Sequence, residues 1–224
     1  MRRSFLTFVL GSAISISMSA VAKPPPPSWD GLTLVNSDRF DLVYLRQDAD
    51  FRSYSKVLID PIEVAFHKDW KKDYNSGASS LGSRISDGDL QDAISKGVVA
   101  AGDVFDSAFK RGGYEVVGAP GPDVLRVKTG IVHIRISAPD QRTAARSYSF
   151  AGEAGSATLF VEARDSTTGE LLGRAVDQKI AGDNSAAWRT SVSNRADFRK
   201  MVENWATAAV RGVGELKGLS PIRP

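Results

Sequence analysis

From Asp87 onward the apolar residues fall into three- and four-residue steps, Leu90, Ile94, Val98, Ala101, Phe105 and Phe109, which places them on one helix face. A stripe of that length has to be buried against a second layer. Asp87 or Asp89 can cap the start, and Gly112-Gly113 ends the helix because glycine accepts the left-handed conformation there. A second stripe, Phe198, Val202, Trp205, Ala209, Val213 and Leu216, predicts another amphipathic helix over about Arg195 to Lys217. Its polar face carries mixed charge, so a core-packing helix is favoured over one lying on a membrane surface.

The stretches outside these helices read as strands. Phe40 to Arg46 alternates, and Lys56 to Phe66 is rich in β-branched residues, with Pro61 implying a bulge or an edge position. Lys68 to Ser86 is polar and reads as a loop, and Tyr114 to Val117 as a short strand. Ser156 to Arg164 and Leu171 to Ala181 flank Asp165-Ser166-Thr167-Thr168-Gly169-Glu170, which has turn chemistry. The register of that return stays open, because Leu172, Val176 and Ile180 share parity with Arg174 and Gln178. Strands, a helix, more strands and a closing helix predict an α+β domain. Its expected form is one antiparallel or mixed sheet with two amphipathic helices packed on one face, a two-layer sandwich.

Val124 to Ser137 is too long for a simple strand, and its alternation changes phase near Gly130. A glycine bulge there would gather Arg126, Lys128, His133 and Arg135 on the face opposite the apolar one. An exposed antiparallel face of that kind is ordinarily only solvated; its functional reading is a surface for an anion or an acidic partner. Ala138 to Ala154 has no clear period and carries Arg142, Arg146 and Tyr148, residue types enriched at interfaces, so partner contact is placed there ahead of the sheet face.

The N-terminus has a different character. Arg2 and Arg3 precede a charge-free apolar stretch from Phe5 to Val21, and Ala20-Val21-Ala22 supplies a small-x-small cleavage pattern, so the mature chain is expected to begin at Lys23. The run is short and is followed by Pro24 to Pro27, which argues against a transmembrane anchor. Arg2-Arg3-Ser4-Phe5-Leu6 also resembles a twin-arginine core, so both that route and general secretion stay open. The organisation expected is a signal peptide at 1–22, a proline-rich linker at 23–28 and a single α+β domain at 29–224, located in the periplasm or outside the cell. Without cysteine the chain lacks the acceptor for a lipid anchor, along with disulfides, thiolate zinc sites and cysteine nucleophiles.

Cleavage would remove two arginines and no acid, so that 29 basic against 26 acidic residues become 27 against 26, a net charge of +1. That balance gives no warrant for nucleic-acid binding. Leu45-Arg46, then Tyr54-Ser55-Lys56-Val57-Leu58-Ile59-Asp60-Pro61-Ile62-Glu63-Val64, and Asp165 to Leu172 with Asp177 resemble a bacterial family of secreted or envelope proteins known as domain of unknown function 3313. The resemblance runs from about Leu34 to Leu216 and implies no activity and no catalytic residues.

His67 and His133 lack a metal-binding partner at helix or strand spacing, and the serines form no nucleophile elbow. Gly152-Glu153-Ala154-Gly155 lacks the context of a dinucleotide loop. No cofactor is implied and no catalytic residue is named. The expectation is a non-enzymatic periplasmic binding or envelope-assembly accessory, whose partner is an envelope protein or a small ligand. The alternative is an envelope hydrolase using carboxylates such as Asp60, Glu63, Asp69 and Asp73, whose roles would require separated pKa values.

Overall fold

The computed structural model describes residues 24–78, 80–136, 149–151, 155–181, 187–189 and 191–223. In chain order these form β1 (Ser28–Trp29), β2 (Leu32–Val35), β3 (Leu42–Leu45), β4 (Lys56–Ile59), β5 (Glu63–Phe66), α1 (Trp70–Ser76), a 3-10 turn at Leu81–Ser83 and α2 (Asp87–Arg111). There follow β6 (Glu115–Val116), β7 (Val124–Ile136), β8 (Ser149–Ala151), β9 (Gly155–Asp165), β10 (Leu171–Ala181), β11 (Ala187–Arg189) and α3 (Ser191–Leu219). One mixed sheet of nine strands has the order β1-β2-β3-β10-β9-β7-β4-β6, with β5 beside β7; β8 and β11 pair separately. The fold is α+β.

The helical period at Asp87 becomes α2, but its N-cap is Ser86 rather than an aspartate. Its hydroxyl accepts from the Asp89 N–H at 3.1 Å, and the Asp89 carboxylate accepts from the Ser86 N–H at 3.1 Å. Gly113 leaves the helix at φ +86°. Lys68 to Ser86 is not simply a loop. Trp70 is buried, stacks on Phe66 with centroids 4.5 Å apart, and donates its indole N–H to the Ile136 carbonyl at 3.1 Å, which anchors α1.

Two irregularities keep the parallel edge of the sheet in register. Between Ile59 and Glu63 the β4–β5 side runs four residues while β7 runs three, from Val127 to Gly130, so the Asp60-Pro61-Ile62 break holds one extra residue. From Val64 to Phe66 the excess reverses, since β7 advances from Ile131 to Ile134. The bulge in β7 therefore lies at Val132–His133, with His133 at φ 54°, and not at Gly130. It cancels the insertion made by Pro61. Leu125, Val127, Thr129 and Ile131, then Ile134, consequently share the buried face.

That face forms one apolar cluster with Ala101, Val104, Phe105, Ala108 and Phe109 of α2 and Met201, Trp205, Ala206, Ala209 and Val213 of α3. The C-terminal residues close it: Ile222 exchanges backbone bonds with Asp48 and Ala49 at 2.8 and 2.9 Å. Asp177 is fully buried at the sheet–α3 contact, where it accepts from the Trp205 indole at 2.7 Å and the Asp41 N–H at 3.0 Å, with Lys179 Nζ at 3.1 Å.

Candidate functional site

The segments that carry the family resemblance meet in space. The Tyr54 hydroxyl donates to Asp165 Oδ2 at 2.9 Å, and Arg46 Nε donates to the Leu171 carbonyl at 2.7 Å while facing Glu170 at 3.2 Å. Burial raises the pKa of Tyr54, and the bond to Asp165 raises it further. Burial also opposes ionisation of Asp165, but donation from the Thr168 N–H, the Tyr54 hydroxyl, the Thr168 hydroxyl and the Thr167 N–H outweighs it and holds the carboxyl below its usual value. Every one of these contacts closes a turn or ties a loop down, so this cluster accounts for architecture rather than chemistry.

On the opposite face of the sheet, Arg126, Lys128, His133 and Arg135 project from β7, and acids from the neighbouring segments match the cations. Arg126 Nε meets Asp60 at 2.9 Å, Lys128 Nζ meets Glu63 at 3.1 Å, and Arg135 lies 3.7 Å from Asp73. Arg135 also contacts His67 at 2.9 Å, and the His67 and His133 rings are 6.2 Å apart. The strip is thus charge-balanced, and Asp60, Glu63 and Asp73 each face a different cation. Asp69 precedes α1 without capping it through its side chain. Ala20, Ala22 and Lys23 lie outside the described residues, as do Arg142, Arg146 and Tyr148. Among the described residues no cluster of three or more His, Asp or Glu could hold a metal, and no helix is long and apolar enough to cross a membrane.

The same face holds a buried ion network that strand alternation alone did not reveal. Glu162 on β9 lies directly opposite Arg174 on β10, and both are almost inaccessible. Arg174 Nη2 meets Glu162 Oε1 at 2.7 Å, Arg164 meets Oε2 at 2.7 Å, and Asp30 lies 2.8 Å from Arg174 Nη1. Trp29 covers the guanidinium at 4.0 Å from its ring centroid. The prolines beside Trp29 are held here as well, with the Pro26 carbonyl accepting from the Tyr44 hydroxyl and the Pro27 carbonyl from the Leu34 N–H, each at 3.0 Å. Arg164 also donates to the Gly169 carbonyl at 3.0 Å, which ties the network to the β9–β10 turn, and its role is structural.

The remaining concavity has room for a ligand. Between the sheet and the C-terminal half of α3 is a cavity of about 890 Å³. Val43, Val161, Ala163, Gly173 and Ala175 line its sheet side, and Ala209, Gly212, Val213 and Leu216 its helix side. Those four α3 positions follow the i, i+3, i+4, i+7 pattern of one helix face. Ala163, Gly173 and Ala175 on the sheet and Ala209 and Gly212 on the helix are the small residues among the larger ones that line the gap. A Cβ added at Gly212 would meet nothing within 4 Å. Arg39 and Glu215, which also line the cavity, form a two-point ion pair linking the β2–β3 loop to α3, with Arg39 Nε donating to Glu215 Oε2 at 2.8 Å. Its volume is that of a small-molecule site. Sequence reasoning missed it, although the small residues at Ala163, Gly173, Ala175 and Gly212 were visible; without the strand register they had no common face.

No curated protein matches the chain. Among solved structures it is similar to the PelC dodecamer protein from Paraburkholderia phytofirmans, at 8% identity and a TM-score of 0.37 over 74% of this chain and 95% of that one. It is also similar to a DUF330-family protein from Xanthomonas campestris, at 10% identity and a TM-score of 0.39 over 74% of this chain and 88% of that one. Likenesses so remote carry no argument about activity. The sequence comparison is of another order: a single family model covers residues 28–209, and the chain belongs to that family, DUF3313, described as a protein of unknown function.

Proposed function

We propose that this chain is an exported, non-enzymatic binding accessory of the bacterial envelope, and that its ligand occupies the cavity between the sheet and α3. In this reading the two long helices form a single layer over the sheet and the ligand lies between the layers. The carrying observation is the cavity itself, lined by apolar side chains between the sheet and α3 and by polar ones, including Asp38, Arg223 and the Arg39–Glu215 pair, elsewhere on its wall. An apolar ligand would gain from transfer out of water into such a space. The hydrolase alternative has less support, because three of the four acids considered for it, Asp60, Glu63 and Asp73, face separate cations.

Two measurements test this reading. The first uses the neutral apolar fluorophore N-phenylnaphthylamine, whose emission is expected to rise on binding. Gly212→Leu is expected to abolish that rise while the melting temperature holds or increases, because leucine fills open space and is a better helix former than glycine by up to about 1 kcal/mol. Unchanged fluorophore binding by a folded Gly212→Leu protein would place the ligand elsewhere. The second is N-terminal sequencing of the protein from a periplasmic extract, which is expected to give a chain starting at Lys23. Recovery of the intact chain in the membrane fraction would overturn the export reading.

A further inference from the structure

Resting on the cavity as the ligand site, we propose that the ligand is a single-chain amphiphile with a carboxylate head, and that Arg39 receives that head by exchanging it for Glu215. The structure already shows what Arg39 binds at the cavity rim. Its Nε and Nη2 engage the two oxygens of the Glu215 carboxylate, the fork geometry by which arginine takes any carboxylate. Glu215 therefore occupies the position of a ligand head.

The side chains of Arg39 and Glu215 retain 32% and 54% of their accessibility, so the pair is reached from solvent and is individually weak. A free carboxylate of equal geometry displaces Glu215 with little loss, because both acids are then hydrated or paired. What tips the exchange is the attached chain, which enters the space lined by Val43, Val161, Val213 and Leu216. A neutral head would leave the ion pair in place and gain only the burial of its chain. Chain and head are thus held by separate contacts, one apolar and one ionic, and the ionic one favours a carboxylate only to the extent that Glu215 stops competing for Arg39.

Isothermal titration of the full mature chain with dodecanoate and with dodecanol, both kept below their aggregation limits, separates the two contacts. Wild type is expected to bind both with similar affinity, because the head only takes the place of Glu215 on Arg39. In the Glu215→Gln background, Arg39→Gln should weaken dodecanoate severalfold, as loss of an exposed charge-assisted contact implies, while leaving dodecanol unchanged. Glu215→Gln should tighten dodecanoate severalfold, because the competing carboxylate is gone. Equal dodecanoate affinity in Glu215→Gln and in the Arg39→Gln, Glu215→Gln double variant overturns the head-group assignment while the cavity reading stands on dodecanol. Failure of wild type to bind either compound overturns both.

Discussion

Phe105→Ala and Trp205→Ala are each expected to lower the unfolding free energy by about 3 to 5 kcal/mol, read as a fall in denaturant midpoint. Phe105 is 0% exposed on α2 and Trp205 2% on α3, and both belong to the cluster that joins the helices to the sheet. Truncation removes the transfer energy of the ring and leaves a hole that a close-packed core refills only in part. For Trp205 the loss goes further, since its indole N–H donates to the fully buried Asp177 at 2.7 Å and its removal costs that carboxylate a partner. Trp205→Ala should therefore be the more damaging of the two. Val99 is 65% exposed on α2, so Val99→Ala should change stability by less than about 0.5 kcal/mol. Equal midpoints for wild type and Phe105→Ala would show that α2 packs by another face.

Glu162→Ala is expected to cost about 3 kcal/mol, because removing one member of a buried pair strips the other of its buried hydrogen-bond partner. Arg174 would keep Asp30 and the Trp29 ring but lose both of its hydrogen bonds to Glu162. The variant should also flatten the acid limb of the stability profile. Burial alone would raise the Glu162 pKa, but hydrogen bonds from Arg174 and Arg164 and their charges outweigh it and hold the carboxyl below its ordinary 4.5. A folded-state pKa lower than the unfolded one means the contribution is complete above the unfolded value and fades as pH falls through the folded one. Wild type should therefore lose more stability than Glu162→Ala between neutral pH and the acid side of the glutamate range. Parallel losses in the two proteins would assign acid sensitivity to other groups.

Local pattern reaches the elements and stops at their partners. The stripe from Leu90 to Phe109 specified α2 because a helix face is set by residues three and four apart, whatever it packs on. The same holds for the α3 stripe and for the strands around the turn at Asp165. Trp70 shows where this fails: Lys68 to Ser86 is polar and rich in Gly and Ser, and its helix is anchored where one indole meets Phe66 and the Ile136 carbonyl. The bulge in β7 was anticipated but placed at Gly130. Its position, Val132–His133, is set in the pairing of β7 with both β5 and β9, where it offsets the extra residue in the β4–β5 break.

By itself, the sequence determined the two amphipathic helices, the β9–β10 hairpin, the α+β class and the family resemblance, because each depends on periodicity, turn chemistry or residue identity within a short window. Tertiary structure alone decided the order of nine strands, the burial of Glu162 against Arg174, the neutralisation of the β7 cations by Asp60, Glu63 and Asp73, and the cavity with Arg39 and Glu215 at its rim. These are relations between residues many positions apart. A shift of one residue in strand register exchanges the faces of a sheet, so which small side chains face α3, and which charges meet, is fixed only once every strand has its neighbour.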